Sequence, residues 1–170
     1  EVAGEQATYV RPLFDWITAG ELNVSFDLLI DQLTTVMLLV VTGVGTLIHV
    51  YSIGYMHGDE RYGRFFAYLN LFLFSMLMLV LGGSFLTLFL GWELVGLCSY
   101  LLIGFWFEKL EYAAAAKKAF IPNRVGDVSF MVGMFLIFAT FGSLAFTEVL
   151  PAAGQASSTT ALAIGLLLLG

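Results

Sequence analysis

Glu93 lies inside Phe89–Trp106, "FLGWELVGLCSYLLIGFW", a stretch that is apolar almost throughout. An acid at the centre of a bilayer costs about 3 kcal/mol on the insertion scale. A chain that keeps one there must pair it with a cation or let it bind a proton. With a cation nearby that moves or changes its charge, the carboxyl would hold and release a proton in turn. That is the chemistry of an intramembrane proton relay. The competing reading is a fixed tie between helices that never titrates. Gly91, Gly96 and Ser99 permit close helix approach and suit both readings.

A second group lies in "KKAFIPNRVGDV". Arg124 and Asp127 are three apart, so a helix places them on one face where they can pair. They precede the uncharged run Val128–Phe146, which predicts a position at the cytoplasmic end of a helix or slightly inside it. Pro122 removes a backbone hydrogen bond and disfavours helix at Ile121, so a kink or a late helix start is expected there. Lys117 and Lys118 read as cytoplasmic anchors, and Lys118, nearer the membrane, is the better relay candidate. His49, deep in the first apolar stretch, is either a hydrogen-bonded packing residue or a proton shuttle. Asp27 and Asp31 precede that stretch as solvated helix-start acids, with a protein-lined entrance as the other reading of Asp31. Two histidines and one cysteine give no haem pair and no iron–sulfur ligand set. There is no Walker loop, dinucleotide fingerprint or nucleophile elbow. These residues can move charge; none points to a cofactor or metal held by this chain.

Membrane helices are the elements that must hold such groups. Of the 170 residues, 12% are charged and 59% hydrophobic, whereas a soluble domain is about a quarter charged. The net charge of −6, with no basic tract, gives nucleic-acid binding no support. The single cysteine, Cys98, cannot form an internal disulfide and reads as a packing residue. Residues 1–27 mix acids, aromatics and turn formers and predict an extramembrane segment with a short hairpin or amphipathic turns. Four spans follow, at Gln32–Met56, Phe65–Leu81, Ser84–Phe107 and, for its uninterrupted apolar part, Val128–Phe146; a fifth begins near Ala161. Each complete one can cross the roughly 30 Å hydrocarbon core, and continuous apolarity without period-2 alternation selects helices. "HGDERYGR", "LGGS" and "EKLEYAAAAKK" are the expected connections between them. Two domain-level regions result, an extracytoplasmic segment over 1–31 and a helical membrane region over 32–170. A beginning without Met and an end inside "ALAIGLLLLG" lead us to expect part of a longer protein.

Alternating spans put Arg61, Arg64, Lys109, Lys117 and Lys118 on the side opposite residues 1–27, which hold only Arg11. Positive residues favour the cytoplasm. The first residues are therefore expected outside it, and aromatics near the span ends (Tyr51, Tyr55, Tyr62, Tyr68, Trp106) fit an interfacial belt.

"GWELVGLCSYLLIGFW" (91–106) and "KAFIPNRVGDV" (118–128), with "TGVGTLIHVYSIGYM" and "RFFAYLNLFLFSML", resemble the large antiporter-like subunit family of respiratory complex I. The resemblance runs from about Pro12 to Gly170; Pro122 departs from the usual pattern. It implies an all-α polytopic bundle of the antiporter-like inverted-repeat fold, of which this chain would supply four complete helices and the start of a broken fifth. It implies proton translocation coupled to quinone reduction elsewhere in an NADH:quinone oxidoreductase, a translocase. Glu93 would pair with a lysine beyond Gly170, and Asp127, Arg124 and Lys118 would tune or feed the relay. NADH, FMN, iron–sulfur clusters and quinone would belong to other subunits. Partners would be other complex I membrane subunits, the lipid bilayer and protons. The setting would be a bacterial plasma membrane, or else a mitochondrial inner or similar energy-converting membrane. The large subunit of a multisubunit Na+/H+ antiporter shares this fold and is the alternative; a passive structural membrane subunit is the second alternative.

Overall fold

A computed structural model of the protein describes residues 8–20 and 22–169. The start of the 1–27 segment, Glu21 and Gly170 lie outside the described residues. The chain opens as a hairpin of β1 (Tyr9–Ala19) and β2 (Leu22–Ile30), antiparallel, with register shifts between Pro12 and Phe14 and between Asp15 and Ile17. Six α-helices follow among the described residues: α1 (Gln32–Tyr55), α2 (Tyr62–Leu81), α3 (Phe85–Ile103), α4 (Leu110–Phe141), α5 (Phe146–Ala152) and α6 (Ser158–Leu169). The hairpin adds a small sheet to the helical bundle expected from the sequence. The first four helices are each long and apolar enough to cross a membrane.

The boundaries have local causes. Asp31 caps α1, its Oδ1 accepting from the Thr34 N–H at 2.7 Å. That N–H, with other nearby donors, holds the Asp31 carboxyl below the ordinary aspartate range. Ser84 and Thr87 form a reciprocal cap at the start of α3. Gly142 ends α4 at a φ of 71°, where a side chain would be strained, and its N–H returns to the Phe138 carbonyl at 2.8 Å. Within the helices, Thr42, Thr46, Ser75 and Thr140 donate their hydroxyls to the carbonyl four residues back. Polar side chains satisfied in this way cost little inside a bilayer.

α4 corrects two sequence expectations. It begins at Leu110, not near Val128, and runs through Pro122 without a break; the stretch expected to be a loop, "EKLEYAAAAKK", supplies its first turns. Ala, Glu, Lys and Leu are strong helix formers, so this segment is helical although it is too polar to read as a span. The same extension moves Arg124 and Asp127 from a helix end to its middle. Arg124 lies fourteen residues in from Leu110 and seventeen short of Phe141. The run expected to continue to Phe146 stops at Gly142 and turns into the short α5.

Each membrane face is stitched together by its connections. On the hairpin side, the Gly83 N–H donates to the Asp27 carbonyl at 3.0 Å, the Phe85 N–H to Leu144 and the Phe146 N–H to Gly83. This ties β2, the α2–α3 turn and the α4–α5 turn to one side, as alternating spans require. The apolar cluster of Val24, Met134, Ile137, Leu144 and Val149 packs the hairpin onto the same end of the bundle. On the opposite side, the Trp106 indole donates to Asp59 at 3.0 Å, and Arg61 pairs with Glu108. Between the two faces, α2 and α3 meet at Gly91, where a Cβ would come 2.6 Å from the Leu79 nitrogen. α4 and α6 meet at Gly133, where a Cβ would lie 3.2 Å from that of Leu167. Small residues set these contacts, as they do where lipid supplies no hydrophobic drive between helices.

Candidate functional site

Glu93 sits on α3, eight residues and so about 12 Å along the axis from Phe85. α4 lies against this stretch of α3, and Phe89 stacks on Phe130 with ring centroids 5.5 Å apart. Across that contact, Arg124 Nη1 donates to Glu93 Oε2. The same guanidinium turns Nη2 toward Asp127 Oδ2, 2.9 Å away. This second contact is ionic: neither atom has an aligned hydrogen-bond partner. One arginine therefore serves two carboxylates, one on its own helix and one on the neighbour.

Three further residues shape the triad. Trp92, next to Glu93 on α3, donates its indole N–H to Asp127 Oδ1 at 3.1 Å. Gly96, three residues after Glu93, leaves the guanidinium its room, since a Cβ there would fall 2.9 Å from Arg124 Nη2. The Phe120 ring lies under the Arg124 Cζ at 4.5 Å. Asp127 is only 4% exposed. Glu93 and Arg124 are part-exposed, at 27% and 32% of their side chains.

With all three groups ionised the triad carries one net negative charge. Burying an uncompensated charge is costly. The geometry thus supplies two acids that share one cation between α3 and α4.

Of the five candidates from the sequence, the structure brings together Glu93, Arg124 and Asp127. Lys118 is exposed on α4, nine residues from Asp127, and nine residues turn an α-helix through two and a half turns to the opposite face. His49 lies on α1. Its Nδ1 donates to the Gly45 carbonyl at 2.7 Å, its ring faces Phe66 at 6.1 Å, and it lines an apolar groove against α2. Asp31 both caps α1 and lines a cavity of about 800 Å³ on the hairpin side. Trp92 was missed as a site residue. Its sequence signal is its place beside Glu93, but its partner is 35 residues away on another helix.

Residues 82–170 match the family model described as "NADH:quinone oxidoreductase/Mrp antiporter, TM". The chain belongs to this family. Residues 16–66 match the model described as "NADH-Ubiquinone oxidoreductase (complex I), chain 5 N-terminus". NADH-quinone oxidoreductase subunit L of Mycobacterium tuberculosis is 55% identical over 159 residues, which cover 94% of this chain and 25% of that protein. The Escherichia coli protein of the same name is 52% identical over 146 residues, covering 86% of this chain and 24% of its own length. The chain thus spans about a quarter of the curated relatives it matches. Among solved structures, the Mrp complex from Dietzia sp. superposes with a TM-score of 0.80 at 27% identity, over 94% of this chain and 17% of that one. An archaeal membrane-bound sulfane sulfur reductase shares the fold, with a TM-score of 0.76 at 21% identity over 85% of this chain and 29% of that one.

Proposed function

We propose that this chain forms part of a proton-translocating membrane subunit of an NADH:quinone oxidoreductase. The single observation that carries the reading is the sharing of Arg124 between Glu93 and Asp127 in the span interior. Two acids on one cation hold an odd charge that one proton neutralises. Identity of 45–55% to proteins named NADH-quinone oxidoreductase subunit L supports the oxidoreductase as the setting. Electrons would pass through NADH, FMN, iron–sulfur clusters and quinone in other subunits. This chain would respond to that reaction by changes in the charge around the triad, alongside neighbouring membrane subunits of the complex. Lys118 and His49 would act outside the triad, as carriers to or from it.

The likeness to an Mrp complex at 27% identity supports a second reading, the large subunit of a multisubunit Na+/H+ antiporter. The higher identity to the oxidoreductase subunits favours the first. Arg61, Arg64 and Lys109, at the ends of helices away from the hairpin, support a cytoplasmic position for that face of a bacterial plasma membrane and an extracytoplasmic hairpin.

Glu93→Gln in the whole complex, reconstituted in vesicles, tests the reading. The expected result is an assembled complex with pumping per electron strongly reduced. Normal pumping stoichiometry would instead mark Glu93 as a structural tie.

A further inference from the structure

A cleft of about 180 Å³ opens between α2, α3 and the first turns of α4, at the end of the bundle away from the hairpin. Leu101, Gly104 and Ala116 give it an apolar floor, and a Cβ on Gly104 would lie 3.1 Å from that of Ala116. Arg64 and Tyr68 of α2, with Phe107, form the rest of the wall the argument needs. The Arg64 Nε donates to the Tyr68 hydroxyl at 2.9 Å, and its Cζ lies over the Phe107 ring at 5.3 Å. The Tyr68 ring is held in turn by an edge-on contact with Phe105, which is 2% exposed. One nitrogen and one face of the guanidinium are thus fixed, which leaves Nη1 and Nη2. Arg64 forms no salt bridge among the described residues, whereas Arg61, three residues earlier, is taken by Glu108. Tyr68 accepts from Arg64, so its own O–H remains free to donate. Three donors therefore stand beside an apolar cleft, on an arginine that is exposed near the start of its helix.

We propose that this cleft binds one anionic phospholipid, with its phosphate on Arg64 and Tyr68 and an acyl chain along Leu101 and Gly104. The guanidinium fork matches phosphate oxygens in pairs. Basic pockets between helices at a membrane face suit an anionic headgroup. The apolar floor selects a lipid over a free anion, which would use the donors and leave the floor bare. A net negative charge selects against phosphatidylcholine, because Arg64 has no acid of its own to balance it. Nothing in this site depends on the triad, which lies about two turns further along α3, from Leu101 to Glu93.

The test uses the whole complex in phosphatidylcholine vesicles that contain a little phosphatidylglycerol with a diazirine on its acyl chain. After illumination the cross-linked peptides are read by mass spectrometry, and native electrophoresis checks that each variant is assembled. Label is expected between Leu101 and Ala116. An arginine at a membrane surface contributes about fivefold to anionic-lipid affinity. Arg64→Gln should lower the label by about that factor, and Arg64→Lys should keep most of it. Tyr68→Phe, which retains the ring and its packing, should lower it by a smaller factor, and Lys109→Gln on the same membrane face should change it little. Undiminished label in Arg64→Gln and Tyr68→Phe would overturn the site, as would an equal loss in Lys109→Gln. Equal label from a diazirine-bearing phosphatidylcholine would show a groove open to any lipid and overturn it too. Loss of label to excess inorganic phosphate would assign the donors to a free anion. Absence of label from this segment would mean that protein covers the cleft, and either of these results would also overturn the proposal.

Discussion

Arg61–Glu108 and Arg124–Glu93 are both arginine–carboxylate pairs between segments far apart in sequence, but their surroundings differ. Arg61 joins the α1–α2 connection to the α3–α4 connection; its guanidinium stacks on Phe107 at 5.1 Å, and its partner is 55% exposed. Arg61 meets Glu108 directly and also neighbours Asp59, and water can hydrate all three. Arg124 meets two anions in the middle of a span, one of them almost fully buried. At the membrane edge water screens the charge left over in the first group. The second is one positive charge short. Acids at the membrane edge are compensated by water, whereas acids in the interior depend on the protein's own cation. Burial, more than the presence of an ion pair, separates the two groups.

Removing the shared cation should have the largest effect. Arg124→Leu leaves two acids unpaired, and breaking a buried pair costs about 3–5 kcal/mol. Loss of the assembled complex from membranes is expected, with Arg124→Lys restoring assembly but not full pumping. If Arg124→Leu assembles and pumps normally, the interior triad is no more consequential than the edge clamp. Next comes Trp92→Phe, which keeps the ring and deletes the N–H to Asp127. A hydrogen bond to a charged group is worth about 1.5–3 kcal/mol. Pumping per electron should fall several-fold while assembly, read by native electrophoresis, holds.

The smallest effects belong to the clamp. Arg61→Ala should cost at most about 1 kcal/mol of thermal stability, and the difference should shrink as salt rises. A larger or salt-independent loss would mean the edge pair is buried in the complex. Asp59 in the same clamp is held below the usual aspartate range, first by the Arg61 backbone N–H and then by the Trp106 indole. A lowered folded-state pKa stabilises above the ordinary aspartate value and is lost as pH falls through the lowered one. Trp106 emission should therefore stay constant from about pH 8 to about pH 5 and change only under stronger acid. A transition near neutral pH would contradict this.

The four spans and the hairpin side were legible because continuous hydropathy and turn residues report them directly. α4 was misjudged because hydropathy marks what fits in lipid. "EYAAAAKKAF" is a good helix that fits poorly there, so the span seemed to start after the charges and not before them. Arg124 and Asp127 could be paired from a spacing of three. Their union with Glu93 could not, because the residues lie on separate helices and the register between α3 and α4 is set by packing such as Phe89 on Phe130. Gly96 carried a trace of it, as a gap three residues from Glu93 that the guanidinium fills. The sharing of one cation by two acids appears only once that register is known.

Infrared difference spectroscopy of the complex during NADH oxidation, comparing the unaltered protein with Glu93→Gln and Asp127→Asn, tests the proton in the triad most directly. A protonated-carboxyl band that appears in turnover and is lost in both variants is the predicted result. Spectra showing both carboxyls ionised at every stage would contradict the account.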